Sequence, residues 1–420
     1  MPHLLITTQV YPPETCPAAV VVRELAEYLV SHGWQVTVCA GLPHHPHGRL
    51  IGGFKWRPWQ RTEELGVEVV RVGHLIHKSR STLVRGAVYT SQALATALAA
   101  ATRRQADVVL VYGPPLVGAN LGAVVAARHK AKLVNIVYDI YPDIAVETGR
   151  VKNLALISAA RFAEQMQYKH SDLTIVLSEG FRKQIVSKGV AEEQVAIIPM
   201  WLDPDEIRPM MRDNVWRREH GIGAEKFVVL YAGTIGVVSG ASIVADTAAL
   251  VRDHEDILFL FVGEGEEKAH VEARARKMRL TNMMFLPFQP RERLCEVQAS
   301  ADVSLVTLAK GRGRTSVPSK VVGYMAAGRP VIASVDQDSD TAAEVISSGC
   351  GLIVAPEDPV ALAEAILGLS KEPRHLSTLG RNARKWFLEH FSAHENLRRF
   401  DELLRNLASS GKNGGSDENP

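Results

Sequence analysis

Short apolar, β-branched runs alternate along this chain with longer segments whose apolar positions recur at helical spacing. His3–Thr8, Gln35–Ala40, Val67–Val72, Val108–Tyr112, Leu133–Tyr138 and Leu173–Leu177 read as strands, and Ala18–His32 as a helix closed by Gly33-Trp34. A second series begins after Pro209, with strands at Phe227–Ala232, Leu258–Val262, Met283–Leu286, Val303–Thr307, Pro330–Ala333 and Gly351–Val354. Helices at about 241–252, 266–279, 291–299, 318–327, 340–348 and 359–369 separate them. Strands alternating with helices of crossover length predict parallel sheets covered on both faces. Two series of similar size predict two doubly wound α/β halves. Ile198–Pro204 and the charged residues through Arg218 read as the connection between them, and the tail Ser409–Pro420, without a large apolar residue, as disordered.

Composition narrows the class. With 420 residues, 46% hydrophobic and 22% charged, the chain is an ordinary globular protein of two or three domains. A net charge of +2 argues against nucleic acid as the main partner. That total conceals a split of +6 over residues 1–195 and −4 over the remainder, which points the first half toward an anionic partner or surface. The four cysteines, Cys16, Cys39, Cys295 and Cys350, lie far apart without CxxC spacing, so neither a zinc site nor a disulfide framework is expected and a reducing compartment is favoured. No basic region precedes the first apolar run, and the most apolar stretch, 106–127, is broken by Gly113-Pro114-Pro115; the chain reads as soluble and cytoplasmic.

In doubly wound sheets ligands bind beyond the carboxyl ends of strands, and several unusual loops stand there. The first runs Thr7–Ala19 and contains Tyr11-Pro12-Pro13-Glu14; Ala18 and Ala19 would let a ligand approach the helix start, where free N–H groups favour an anion. It has no G-x-G-x-x-G, so a dinucleotide fingerprint is absent. The second, Val137–Glu147, sets Asp139, Asp143 and Glu147 beside Tyr138 and Tyr141, carboxylates suited to orienting sugar hydroxyls or accepting a proton, or else to capping a helix. The third, Lys310–Lys320, gathers Lys310, Arg312, Arg314 and Lys320 where Pro318 suits a first helical position, with Ser316 or Val317 as cap. Cations at a helix N-terminus suit a pyrophosphate. Gly-rich turns at Ala232–Gly236 and Val262–Glu266 permit close approach to a ligand. His44-His45-Pro46-His47 lacks a neighbouring Cys or acid and is not read as a metal site. Phe54–Arg61 interleaves aromatics with cations and suits an anionic bilayer, an acceptor, or packing of its tryptophans beneath the loop.

These motifs together resemble the family 4 glycosyltransferases of GT-B fold, nearest to the bacterial enzymes that build exopolysaccharide and O-antigen repeat units. The likeness rests on Tyr11–Glu14, Gly41-Leu42-Pro43-His44-His45-Pro46-His47-Gly48, the Asp139–Pro142 segment, Val317–Lys320 and Ala326–Val331. It implies two Rossmann-like domains facing a central cleft: an acceptor-binding domain at 1–198, a connection at 199–225, a nucleotide-sugar domain at 226–381, and helices at 382–408 returning to the first domain before the tail 409–420. It further implies a retaining, metal-independent transfer without cofactor from a nucleotide-sugar, UDP-linked by expectation, to a polyprenyl-diphosphate-linked or saccharide acceptor at the inner membrane face. By the same resemblance Asp139 would position the donor sugar, Arg314, Ser316, Ser319 and Lys320 would line the diphosphate above Gly233 and Thr234, and Phe288 and Gln289 would hold the base. Tyr11, Ala18, Ala19, Asp143, Arg312 and Pro318 complete the expected site.

Two departures stand out. Where many members carry Arg and Lys in the first C-domain loop, this chain has Thr234 and Ser239, so Arg312, Arg314 and Lys320 are the expected substitutes. The usual E-x7-E pair falls on Thr315 and Gly323, which leaves Glu264 or a carbonyl for the ribose. A non-catalytic nucleotide-binding subunit and a nucleotide-sugar epimerase or hydrolase therefore stand as alternatives to a transferase.

Overall fold

The computed structural model describes residues 1–45, 48–79, 81–113, 116–147, 149, 151–312 and 320–413. The chain forms two compact units: Met1–Ile198 joined by the C-terminal stretch from Leu397, and Pro199–Asn396.

In the first unit β1 (His3–Thr8), β2 (Gln35–Gly41), β3 (Trp59–Glu64), β4 (Val67–Val72), β5 (Val108–Tyr112), β6 (Lys132–Val137), β7 (Leu173–Val176) and β8 (Val195–Ile197) make one sheet in the order β3-β4-β2-β1-β5-β6-β7-β8. Every neighbouring pair is parallel except the antiparallel β3–β4 edge. All residues of β1 and β5 are buried, as strands covered on both faces must be. The sequence pattern missed β3 because its side chains are mostly exposed and polar, with Trp59 63% exposed. Residues 59–61 of the expected aromatic–basic loop are thus an edge strand, held by backbone bonds that leave no hydrophobic period.

The second unit contains β9 (Phe227–Ala232), β10 (Ile257–Val262), β11 (Met283–Leu286), β12 (Val303–Thr307), β13 (Val331–Ser334) and β14 (Gly351–Val354), all parallel, in the order β11-β10-β9-β12-β13-β14. Apolar clusters on its two faces are built around Trp216, Tyr324 and Phe387, and around Phe259, Ile332 and Leu362. Chain order reverses between β1 and β5 in one sheet and between β9 and β12 in the other, and the loops at those reversals are the natural ligand sites.

Three expected boundaries move. The stretch 199–225 is part of the second unit: Trp216 is 0% exposed, and Arg217, its guanidinium on the carbonyls of Ser300 (3.2 Å) and Gly223 (2.8 Å), is equally buried. The stretch looked like a solvated connection because most of its charges are exposed, while the Ser300 carbonyl that helps bury Arg217 lies far away in sequence. The helix Pro373–His390 also stays in the second unit, packing Ala383 and Phe387 into that core, so the return begins only within Ala393–Asn413. There Trp34 Nε1 donates to Asp401 Oδ1 at 2.7 Å and Arg405 donates to the His32 carbonyl at 2.6 Å. The expected disordered tail is helical through Asn413, because Leu404 and Ala408 bury one face and the backbone ladder carries the polar residues along. Among the described residues no helix is long and apolar enough to cross a membrane.

Trp216→Ala is expected to lower stability by about 3–5 kcal/mol, the cost of an emptied large aromatic site, read as a shift of the denaturant midpoint. A tryptophan on a free connection would show no shift.

Candidate functional site

The second unit's site begins where two strands part. β9 and β12 pair only at Val229–Val303 and Leu230–Ser304. Beyond that the N–H of Ala232 donates to the Tyr324 hydroxyl at 2.8 Å, and the hydroxyl donates to the Ala232 carbonyl at 3.2 Å. One buried tyrosine thus satisfies the backbone that the missing ladder leaves open. The loops after β9 and β10 then run backbone against backbone. Gly233 N–H donates to the Val262 carbonyl (2.9 Å) and Ile235 N–H to the Glu264 carbonyl (3.0 Å). A Cβ on Gly263 would lie 2.0 Å from the Gly233 oxygen, so only glycine lets the loops meet.

Lys320 opens the helix Lys320–Ala326 and reaches back over this floor. Its Nζ lies 3.8 Å from the Tyr231 ring centroid and 3.5 Å from the Thr234 carbonyl, to which the Tyr231 hydroxyl also donates at 3.1 Å. Among the described residues no carboxylate pairs with it. Burial without a counter-charge pulls its pKa from 10.5 down to about 7. A cation therefore stands at the loop where Thr234 and Ser239 supply none. Ser239 is buried, its hydroxyl on the Gly236 carbonyl at 2.6 Å.

The remaining expected donors divide. Glu264 accepts from Lys268 Nζ at 2.7 Å, and Phe288 stands exposed after β11. Gln289 bonds structurally: Oε1 accepts from the indole N–H of Trp216 at 3.1 Å. The basic loop's entry is held by carboxylates the sequence did not single out, Gly311 N–H on Asp336 (2.7 Å) and Lys310 N–H on Glu357 (3.3 Å), while Arg312 follows a turn back to Ala309. Arg314, Ser316, Pro318 and Ser319 lie outside the described residues. Gly323 is buried against Gln298, whose Nε2 would stand 3.0 Å from an added Cβ, so a larger side chain there would displace Gln298.

In the first unit Glu14 binds two loops together. Only 2% exposed, its carboxylate accepts from the N–H of Tyr11 (3.2 Å), His44 (3.0 Å) and His45 (2.9 Å). Tyr11, expected to touch substrate, is instead buried beneath the Arg71 guanidinium, 5.6 Å from its ring centroid, and burial raises its hydroxyl pKa. Arg71 also donates to the Pro12 carbonyl, fixing the same loop. Ala18 is half-buried and Ala19 buried at a helix start capped by Cys16, with no side-chain hydrogen bond to the cap. Across the loops His74 is buried, its Nδ1–H donates to the Leu75 carbonyl at 2.7 Å, and burial lowers its pKa, leaving a neutral imidazole whose Nε2 has no partner among the described residues. Gln92 donates to the Gln9 carbonyl at 2.5 Å. An added Cβ on Gly41 would lie 2.0 Å from the Gln92 amide and 2.6 Å from His74 Nε2, so both groups converge over a bare backbone.

Asp139 follows β6, exposed at the lip of a recess lined by Gly113, Leu116, Tyr138, Tyr141 and Gln167. Partial desolvation by the protein raises its carboxyl pKa. Asp143 is drawn away from any ligand: it opens the short helix Asp143–Glu147 and accepts from Lys188 Nζ (2.6 Å) and Gln184 (3.0 Å). Sequence placed the two carboxylates together; only tertiary contact with Lys188 separates a structural one from an available one.

Two family profiles match the chain: the glycosyl transferase 4-like domain over residues 18–201, and glycosyl transferases group 1 over 213–386. It is 26% identical over 374 residues to the putative colanic acid biosynthesis glycosyl transferase WcaI of Escherichia coli K12, covering 87% of this chain and 91% of that one. It is also 26% identical over 284 residues to the probable glycosyltransferase WbjE of Pseudomonas aeruginosa, covering 67% and 70%. Among solved structures it resembles the sucrose-phosphate synthase of Thermosynechococcus elongatus (TM-score 0.73, 19% identity, 98% and 100% covered). It likewise resembles Anabaena HepE in complex with UDP and glucose (TM-score 0.68, 17% identity, 96% and 99% covered).

The Lys320 environment sets a pH response. Below about pH 7 the ammonium is charged before a polyanion arrives, whereas above it binding must take up a proton. Inorganic pyrophosphate affinity, measured calorimetrically, should fall relative to that of Lys320→Met as pH rises from about 7 to 9, approaching tenfold per pH unit at most. Parallel profiles for the two proteins would remove Lys320 from the anion site; the comparison cancels the ligand's own titration.

Proposed function

The chain belongs to the family 4 glycosyltransferases of GT-B fold in polysaccharide biosynthesis, and from that premise we propose that it moves a sugar from a UDP-sugar to a lipid-linked or saccharide acceptor with retention of anomeric configuration. The observation that carries this reading is Lys320: an ammonium without a carboxylate, poised over glycine-floored loops at the strand reversal of the second unit. UDP and UDP-glucose are bound by the structurally similar HepE, which supports a uridine diphosphate leaving group here.

In the proposed reaction the bond between the sugar's anomeric carbon and the diphosphate oxygen breaks, the acceptor oxygen bonds to that carbon, and the acceptor's proton passes to the departing diphosphate. Negative charge grows on the departing diphosphate. A preorganised cation in a water-poor recess stabilises it most where that charge develops. Lys320, with Arg312 and Arg314, takes the role that Thr234 and Ser239 do not fill. Phe288 offers a face for the base, and Glu264 a carboxylate for the ribose. Asp139 is assigned to orienting the moving sugar, on the resemblance and its raised carboxyl pKa.

A panel of UDP-sugars incubated with a polyprenyl-diphosphate-linked sugar should yield an extended lipid-linked saccharide. Free sugar as the only product would favour a hydrolase, and an inverted free sugar nucleotide an epimerase. Failure to bind either UDP or any UDP-sugar would sink the reading. Lys320→Ala should lower kcat at least about tenfold, the scale of losing one charge-stabilising group; an unchanged kcat would take Lys320 out of the reaction.

A further inference from the structure

At the end of the second unit's sheet away from Lys320, a groove of about 700 Å³ opens where β12 and β13 begin, with Asp302 and Pro330 lining it just ahead of those strands. Its other wall is the helix Pro373–His390, which brings Ser377, Arg381, Arg384, Lys385 and Leu388 to one face at helical spacing. Arg329 joins them from the turn after the helix Lys320–Ala326. Among the described residues that line the groove, four are cations and one is an acid, Asp302. That carboxylate is already engaged: it accepts from Arg212 and from the N–H of Val228 (2.8 Å), and Arg217 stands 3.8 Å away.

One of the four cations braces the fold and three are left short of an anion. Arg384 donates to the carbonyls of Ala326 (2.8 Å), Ile207 (3.0 Å) and Pro204 (3.1 Å). Arg381 reaches only hydroxyls of its own helix, Ser377 at 2.7 Å and Thr378 at 3.0 Å. Arg381 and Lys385 are exposed, and neither pairs with a carboxylate among the described residues. Like charges four positions apart on a helix repel, so an anion between them relieves a cost. Arg329 donates from Nη2 to the Met210 carbonyl at 2.8 Å, while its Nε is buried without a partner among the described residues. Burial lowers its pKa; Asp302 draws it back up, and Arg212 and Arg217 push it down again. A partly desolvated cluster of cations with its one acid engaged suits a phosphate. Leu376 and Leu388 add an apolar strip beside it.

We propose that this groove is a second ligand site, separate from the Lys320 recess, for a small phosphorylated molecule whose phosphate meets Arg329, Arg381 and Lys385 and whose less polar body lies along Leu376 and Leu388. A groove of this volume is of the size that holds a small-molecule ligand. The site goes beyond the transfer reaction and is tested without it. Phenyl phosphate, a probe with both features, is titrated calorimetrically into the full chain with and without saturating UDP. It should bind in both cases, and more tightly than inorganic phosphate. Arg381→Gln/Lys385→Gln should lower its affinity at least about tenfold, the scale of losing charge-assisted hydrogen bonds, with UDP affinity kept. Arg381→Gln alone serves if the pair unfolds. Lys371→Gln/Arg374→Gln removes the same charge outside the groove and should bind as the parent does. Loss of phenyl phosphate binding in the presence of UDP would place the probe in the Lys320 recess and overturn the inference. So would parent-like affinity in the Arg381 and Lys385 variant, affinity no better than that of inorganic phosphate, or an equal fall in the Lys371 and Arg374 variant, the mark of diffuse attraction. If UDP itself does not bind, the transfer reading falls while the comparison of these variants still decides the groove.

Discussion

The parting of β9 from β12 after Leu230 and Ser304 is the constraint on which the second unit's chemistry depends. A parallel sheet whose strand order reverses must leave a gap at its carboxyl edge, because the two following loops turn to opposite faces. That gap strands backbone groups that no neighbouring strand can bond. Tyr324 meets the need from below, and the helix carrying it also carries Lys320. The same helix therefore closes the floor of the recess and delivers a cation to it. Moving either residue would disturb both functions.

Electrostatics gives that cation its meaning. Lys320 stacks on Tyr231 near a backbone carbonyl and has no carboxylate partner among the described residues. An ion pair would hold an ammonium charged and satisfied; burial without one leaves it short of a counter-charge. A diphosphate, in the proposed reaction, would supply what is missing. The first unit uses the opposite sign for a structural end, since the buried carboxylate of Glu14 draws the loops after β1 and β2 together through backbone N–H groups. One unit neutralises its buried charge internally and so gains a rigid loop pair. The other leaves a buried lysine without a carboxylate partner among the described residues, which is why an anion site is proposed there.

Most of the strand positions were legible, because a strand buried on both faces must be a short continuous apolar run. His3–Thr8, Val108–Tyr112 and Phe227–Ala232 are such runs, and they occur as strands over the same residues. Trp59–Glu64 was not legible, since an exposed edge strand is held by backbone bonds and needs no apolar period. The span 199–225 was misjudged for a related reason: Arg217 is buried by carbonyl oxygens, which no sequence pattern announces. Of the candidate site, the glycine turns and Lys320 could be found from position alone. Tyr324 could not, because it acts through the Ala232 backbone, distant in the chain.

The sequence by itself determined the two doubly wound halves and the loops in which chemistry would sit, because apolar period and turn residues are local properties. Set against the family it resembles, it also showed Thr234 and Ser239 where many members carry Arg and Lys. Only the tertiary structure decided which charged residues pair within the fold and which are left without a carboxylate, as Lys320 is among the described residues. Asp139 and Asp143 are alike in sequence, yet Lys188 claims one and leaves the other at the lip of a recess. Tyr11 has the look of a ligand contact, yet Arg71 covers it. Charge and polarity are written in the sequence, but desolvation and partnership arise only when distant segments meet, and those set what a side chain can do.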